Sequence, residues 1–218
     1  MRECSRILKV DRKTVERKKI FIGLKSLMWL NDFRRFKRVC ELQFDDMETF
    51  EHSKCKPLSI TLAVEKKSRL ILGFKVASMP AKGLLARKAL KKYGPRADDR
   101  KKARQNLFQE IKGCVQDGAL IESDQNPHYE SDVLNYFPKC KHQTSKGRRG
   151  CVVGQGELKA GGFDPLFSLN HTCAMLRANI SRLFRRTWCT TKKRERLELH
   201  IAIYAKSHNQ RILKNLDA

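Results

Sequence analysis

Two seven-residue runs carry the clearest periodicity in the chain. In LSITLAV (58–64), Leu58, Ile60, Leu62 and Val64 alternate with small or polar residues, and in LILGFKV (70–76), Leu70, Leu72, Phe74 and Val76 do the same. A period of two is that of a strand, and the polar EKKSR between the runs predicts a hairpin. Immediately before it, CELQFDDMETF (40–50) reads as a further strand with Asp45, Asp46 and Glu48 embedded in it. Helices are expected near 83–93 and 98–115, then a fourth strand at 118–123 that ends at Asp124. Two long helices follow, at 167–186 and 192–214. In the first, Leu169, Cys173, Leu176, Ile180 and Leu183 recur at helical spacing and form a core-facing stripe. This order predicts an α/β fold, a mixed sheet with helices on its faces.

The ends of this pattern differ in character. Residues 1–23 read as two short helices around a tight turn, with Asp11 placed to cap the second. Arg12, Lys13, Arg17 and Lys18 would lie on its exposed face, the pattern of a helix-turn-helix recognition helix or, more plainly, of a basic amphipathic hairpin. Residues 24–39 form a basic connector with Trp29, Phe33 and Phe36 available for packing. The segment 145–163 holds six of the twelve glycines and several cations, as a basic loop would. Its glycine spacing fits neither phosphate-loop fingerprint.

Composition narrows the class of partner. The 218 residues carry 47 Lys+Arg against 23 Asp+Glu, a net charge of +24. Such an excess repels itself on folding and favours a polyanion, most simply nucleic acid. No apolar run approaches the roughly 18–20 residues of a membrane span, and MRECSRILKV lacks a signal-peptide core. The eight cysteines are dispersed without a C-x-x-C pair, as expected of reduced cytoplasmic thiols. Aromatics show no base-stacking strand motif, which argues against a dedicated RNA-binding module.

The acids are the candidate chemistry. Asp124 in IESDQNPHY stands where an apolar strand runs into a loop, a place that suits either a turn-former or a site residue. If its strand neighbours 40–50, Asp45 and Asp124 converge, and two close carboxylates call for a proton or a cation between them. Oxygen donors of this kind suit Mg²⁺ or Mn²⁺. The plain alternative for Asp45 is a charge that protects a sheet edge. In LNHTCAMLRANISRLFRR, Asn170 and Arg177 lie seven residues apart on one helix face. An amide oxygen there can complete a metal site and the arginine can hold a phosphate, although Asn near a helix start is also simply a cap.

Taken together, QFDDMETFEH, the hairpin LSITLAVEKKSRLILGFKV, SDQNPHYE and LNHTCAMLRANISRLFRRTWCTTKKRERLELHIAIYAKSHN resemble bacterial insertion-sequence transposases of the acidic-triad (DDE) type. The likeness is to the insertion-sequence-one-like group, and the chain is expected to be an N-terminally truncated member, because relatives commonly carry a zinc ribbon ahead of the helix-turn-helix. The resemblance implies three regions: a partial helix-turn-helix over 1–23, the connector 24–39, and a ribonuclease-H-like catalytic domain over 40–218. It makes Asp45 and Asp124 the first two acids of the triad and Asn170 the third position, where many relatives carry Glu, with Arg177 matching the Lys/Arg seven residues on. Asp45, Asp124 and Asn170 would then be the metal ligands. Some related groups are similar in carrying Asn at the third place, but a neutral amide binds a hard dication more weakly than a carboxylate. Glu157 is a weaker substitute, and His171 a candidate substrate contact. The implied activity is nuclease and strand transfer at the element's terminal inverted repeats, by two-metal phosphoryl transfer. The implied partner is double-stranded DNA, bound by Arg12, Lys13, Arg17, Arg182, Arg185, Arg186, Lys192 and Lys193. A homodimer on that DNA and a cytoplasmic, nucleoid-associated location are compatible with this. The rival expectation is a decayed fragment that binds DNA without cutting it.

Overall fold

The computed structural model describes residues 2–146, 163–183 and 190–216. Two N-terminal helices, α1 (Arg2–Leu8) and α2 (Arg12–Phe36), precede an antiparallel run of β1 (Val39–Phe50), β2 (Pro57–Glu65) and β3 (Ile71–Ser78). After α3 (Leu84–Tyr93) and α4 (Arg100–Ile111) come β4 (Val115–Asp124), α5 (Tyr129–Tyr136) and β5 (Lys141–Ser145). Helices α6 (Phe167–Asn179) and α7 (Arg194–Leu216) follow. The five strands form one mixed sheet in the order β3-β2-β1-β4-β5, with β4 parallel to β1 and β5 parallel to β4.

Each sheet face carries its own core. On one, Leu58, Ile60 and Leu62 of β2 pack with Leu30 of α2, Leu169 and Leu176 of α6, and Leu197 and Ile201 of α7. On the other, Leu42 and Phe44 of β1 meet Leu107 and Phe108 of α4 and Tyr129 of α5. Full burial of each such side chain contributes about 1.5–3 kcal/mol, so the two layers hold the sheet between them. Of the expected stripe, Leu169 and Leu176 of α6 are buried with Cys173 half-buried against them, and Ile180 and Leu183 are buried beyond the end of the helix. In β3 the alternation is broken. Phe74 and Val76 join the α7-side core while Leu72 joins the α4 side, because the β2–β3 register shifts between Ala63 and Val64.

Three other expectations are corrected. Asp11 does cap α2, its side chain accepting the Lys13 N–H at 2.7 Å, but the helix runs 25 residues through the presumed connector instead of stopping near residue 23. The helix expected over 167–186 ends at Asn179, where Ile180 turns extended, and a short 3₁₀ turn covers 181–183. Helix α5 and strand β5, which the sequence pattern did not announce, complete the sheet and its second face. Arg185, Arg186 and Glu157 lie outside the described residues.

Gly23 lies inside α2 where α7 crosses it. A Cβ there would sit 2.7 Å from Leu199 Cβ, so α2 and α7 cross where only glycine fits. Gly23→Ala is therefore expected to cost about 1–3 kcal/mol despite alanine's better helix propensity. Urea denaturation measures this; an unchanged or higher midpoint would mean the helices separate without penalty. At the other end of the α7 contact, Asn209 makes paired hydrogen bonds with the Ile71 N–H and C=O, each 2.8 Å, occupying the backbone of edge strand β3.

Candidate metal centre

Strand β1 is central in the sheet, which removes the edge-protection reading of Asp45. In the parallel β1–β4 pairing Gln43 lies opposite Glu122. Two residues further along both strands, on the same face, this register sets Asp45 level with Asp124. The fold thus brings the two acids together from adjacent strands.

Their surroundings fix them differently. Asp45 Oδ1 accepts the Tyr129 hydroxyl at 3.0 Å and the Asp46 N–H at 2.6 Å. Asp124 Oδ1 accepts the Asn126 N–H at 3.0 Å, a turn contact of the kind its sequence position suggested. Burial pushes the Asp45 carboxyl up to about 7, the nearby Asp124 charge adds to this, and the two hydrogen bonds oppose it. Asp124 is raised as well, mainly by burial. Asp46 lies on the opposite face of β1 and accepts from the Thr61 hydroxyl.

Helix α6 is anchored next to the pair by Gln43. Its Oε1 accepts the Leu169 N–H at 3.1 Å, while Nε2 donates to the Pro165 carbonyl and to Glu122 Oε2, both at 2.8 Å. Lys66 closes the arrangement with a 2.9 Å contact to Glu122 Oε1. One turn along α6, Cys173 feels the Asp45 and Arg177 charges, and burial lifts its thiol to about 12. Asn170 sits on the same helix, exposed, with its Nδ2 donating to Asp164 Oδ2 at 3.0 Å. His171 takes a contact of 3.2 Å from Arg69 Nη1 to its Nδ1.

Two half-buried carboxylates on one sheet face, each raised by burial and held in place by a hydrogen-bond donor, are a donor set that fits Mg²⁺ or Mn²⁺. A cation between them offsets the repulsion and desolvation that the fold imposes. Asn170 retains an amide oxygen for such a site. Among the described residues, no group of three or more His, Cys, Asp or Glu side chains is arranged to hold a metal ion. A cleft of about 230 Å³ opens on the α4–α5 side, where Asp46, and not the pair, forms its wall together with Asp98, Arg100, Lys101, Asn126 and His128.

The basic residues expected to touch DNA separate into two sets. Arg12, Arg182 and Lys192 come together in one cleft between the N-terminal helices and α7. Lys13, Arg17 and Lys193 are exposed outside it. Sequence reasoning missed Gln43, Glu122, Tyr129 and Asp164. Glu122 had a usable signal, since it precedes Asp124 by two residues and so shares its face. Asp164 before Pro165 marks a helix start, but nothing local tied Tyr129 to Asp45.

Among the described residues no helix is long and apolar enough to cross a membrane. A scan against protein-family models finds no match to this chain, and a search of curated proteins finds none either.

Proposed function

We propose that the protein is a transposase-like, metal-dependent DNA nuclease and strand transferase. The observation that carries the reading is the register that sets Asp45 beside Asp124 on neighbouring strands, both carboxyls raised by burial. The sequence resemblance to acidic-triad transposases supports it independently, and a five-stranded mixed sheet flanked by helices is compatible with the ribonuclease-H-like core that the resemblance implies. The charge of +24 supplies the affinity for a polyanionic substrate.

In this reading Asp45 and Asp124 hold the cation, with Asn170 as the third ligand. A divalent ion there supplies the positive charge that an in-line displacement at phosphorus needs on its attacking and leaving oxygens. The chain's own residues prepare the place. Tyr129 fixes the Asp45 carboxylate through Oδ1, the Asn126 N–H fixes Asp124, and Gln43 ties the start of α6 to β1 and β4. Arg177 on α6, whose charge reaches Cys173 along with that of Asp45, would position a phosphate.

A second reading has its own support. The Asn170–Asp164 hydrogen bond, and an amide instead of a carboxylate at residue 170, favour a protein that binds DNA without cutting it. Incubation of labelled duplex DNA with Mg²⁺, Mn²⁺ or EDTA separates the two. Cleavage that appears only with a divalent ion is the expected result. Binding without cleavage under every metal condition selects the second reading, and cleavage that persists in EDTA sinks the first.

A further inference from the structure

The cleft between the N-terminal helices and α7 has a composition that packing does not explain. It measures about 560 Å³, and among the described residues lining it Arg2, Arg12, Lys19, Arg182 and Lys192 contribute five cations while no carboxylate does. These charges come from four separate parts of the fold: α1, α2, the 3₁₀ turn at 181–183 and the segment that leads into α7. Glu16, whose charge acts on Lys19, forms a 3.5 Å ion pair with Arg196. His200 of α7 also lines the cleft, and its buried Nδ1 has no hydrogen-bond partner among the described residues.

Crowding of cations at one place costs free energy unless an anion offsets it. The cost is visible locally. Lys19 is held down to about 8 by burial and by the Arg182 and Arg196 charges, with Glu16 opposing. The His200 imidazole is lowered to about 3 by burial and by Lys19 and Arg182, so it is neutral at physiological pH. A chain that folds five cations around one hollow has built a receptor for a compact, multiply charged anion. Guanidinium and ammonium groups from several directions match the tetrahedral oxygens of a phosphate.

We propose that this cleft is a phosphate-binding site, separate from the Asp45–Asp124 pair, that takes either a backbone phosphate of nucleic acid or the phosphate of a small ester. The site does not depend on the metal reading and survives if the protein cuts nothing. It also assigns a different task to the N-terminal helices: Arg2, Arg12 and Lys19 form a wall of a pocket completed by α7.

The test uses the full chain and three variants: Arg12→Gln, Lys19→Gln and, as a control, Lys214→Gln, an exposed cation in the last turn of α7. Inorganic phosphate is titrated by calorimetry, and duplex DNA by fluorescence anisotropy over a series of salt concentrations. Wild type and Lys214→Gln are expected to bind phosphate saturably, with at least a tenfold loss in each cleft variant. If the ligand is nucleic acid, each cleft substitution also lowers the slope of log K against log salt by about one, beyond any change in the control. Phosphate binding lost with an unchanged DNA slope assigns the site to a small ester. No saturable phosphate binding together with slopes equal to the control's overturns the proposal. Melting temperatures no lower than wild type are expected for Lys19→Gln, since it relieves crowding, and they confirm that the comparison is between folded proteins.

Discussion

Asp45→Asn is expected to make the metal-free protein more stable and, in the same preparation, to remove metal-dependent DNA cleavage. The stability gain follows from linkage. The folded carboxyl titrates at about 7 against an ordinary value of 3.8, because burial and the Asp124 charge disfavour its ionised form. A group raised on folding contributes its full stability below the unfolded value and loses it as pH climbs through the folded one. The wild type should therefore weaken relative to Asp45→Asn between about pH 4 and pH 7. The gap then levels off at an order-of-magnitude bound of about 4 kcal/mol. Asparagine keeps an oxygen that can accept from Tyr129 and Asp46, so the substitution removes charge with little change of shape. With millimolar Mg²⁺ or Mn²⁺ the sign reverses: the ion stabilises the wild type by mass action and leaves the variant unmoved. Loss of several kcal/mol of charge stabilisation at the reacting phosphorus lowers cleavage by about a thousandfold or more. Thermal melts from pH 4 to 8, with and without the ion, and a nicking assay read all three effects. A pH-independent stability difference would mean that Asp45 is solvated, and full cleavage by the variant would remove the pair from the chemistry.

The largest loss of stability is expected at Asp132. Arg104 Nε donates to Asp132 Oδ2 at 2.7 Å, and the two side chains are only 3% and 2% exposed. Asp132→Ala leaves a guanidinium buried without its counterion, which costs about 3–5 kcal/mol. For a chain of this size that is a fall in melting temperature of about 10 °C. The effect should reach the carboxylate pair, because the Arg104 guanidinium also lies 5.0 Å from the centre of the Tyr129 ring, and the hydroxyl of that tyrosine holds Asp45. Asp132→Ala is thus expected to weaken divalent-ion binding without touching a ligand. Replacing both partners, Arg104→Met with Asp132→Leu, should recover most of the stability, since apolar pairs often match buried ion pairs. A change below about 1 kcal/mol for Asp132→Ala would show that water reaches the arginine.

The strands of the hairpin were legible because each is short, bounded by polar turns and rich in β-branched and large apolar side chains. The faces were less so. Ser59, Thr61 and Ala63, the weak positions of the β2 alternation, are buried too, since the sheet is covered on both sides. The period reported residue size there as much as exposure. Strand β5 escaped notice because KHQTS offers no apolar alternation and owes its form to the β4 backbone beside it. The end of the second N-terminal helix was misread for a similar reason. The pattern around Gly23 is silent about α7, and only Leu199 shows that the glycine permits a crossing. At the site, Asp45 and Asp124 stood out as acids where strands should be apolar. The engagement of Asn170 by Asp164, six residues earlier, depends on the loop conformation at the head of α6, which no periodicity encodes.

The α2–α7 crossing bears on how the chain is made. Helix α2 leaves the ribosome early, with Leu30 destined for a layer that Leu197 and Ile201 complete. Those partners emerge only after the intervening strands and helices have been translated, roughly ten seconds or more later at about 5–20 residues per second. During that interval one face of the growing sheet lacks the part of its cover that α7 supplies, and the apolar side chains left there are open to chaperones or to other nascent chains. An interrupted message would release a product in which α2 and α6 alone cover this face. Solubility of C-terminal truncations should therefore fall abruptly once the cut passes into α7.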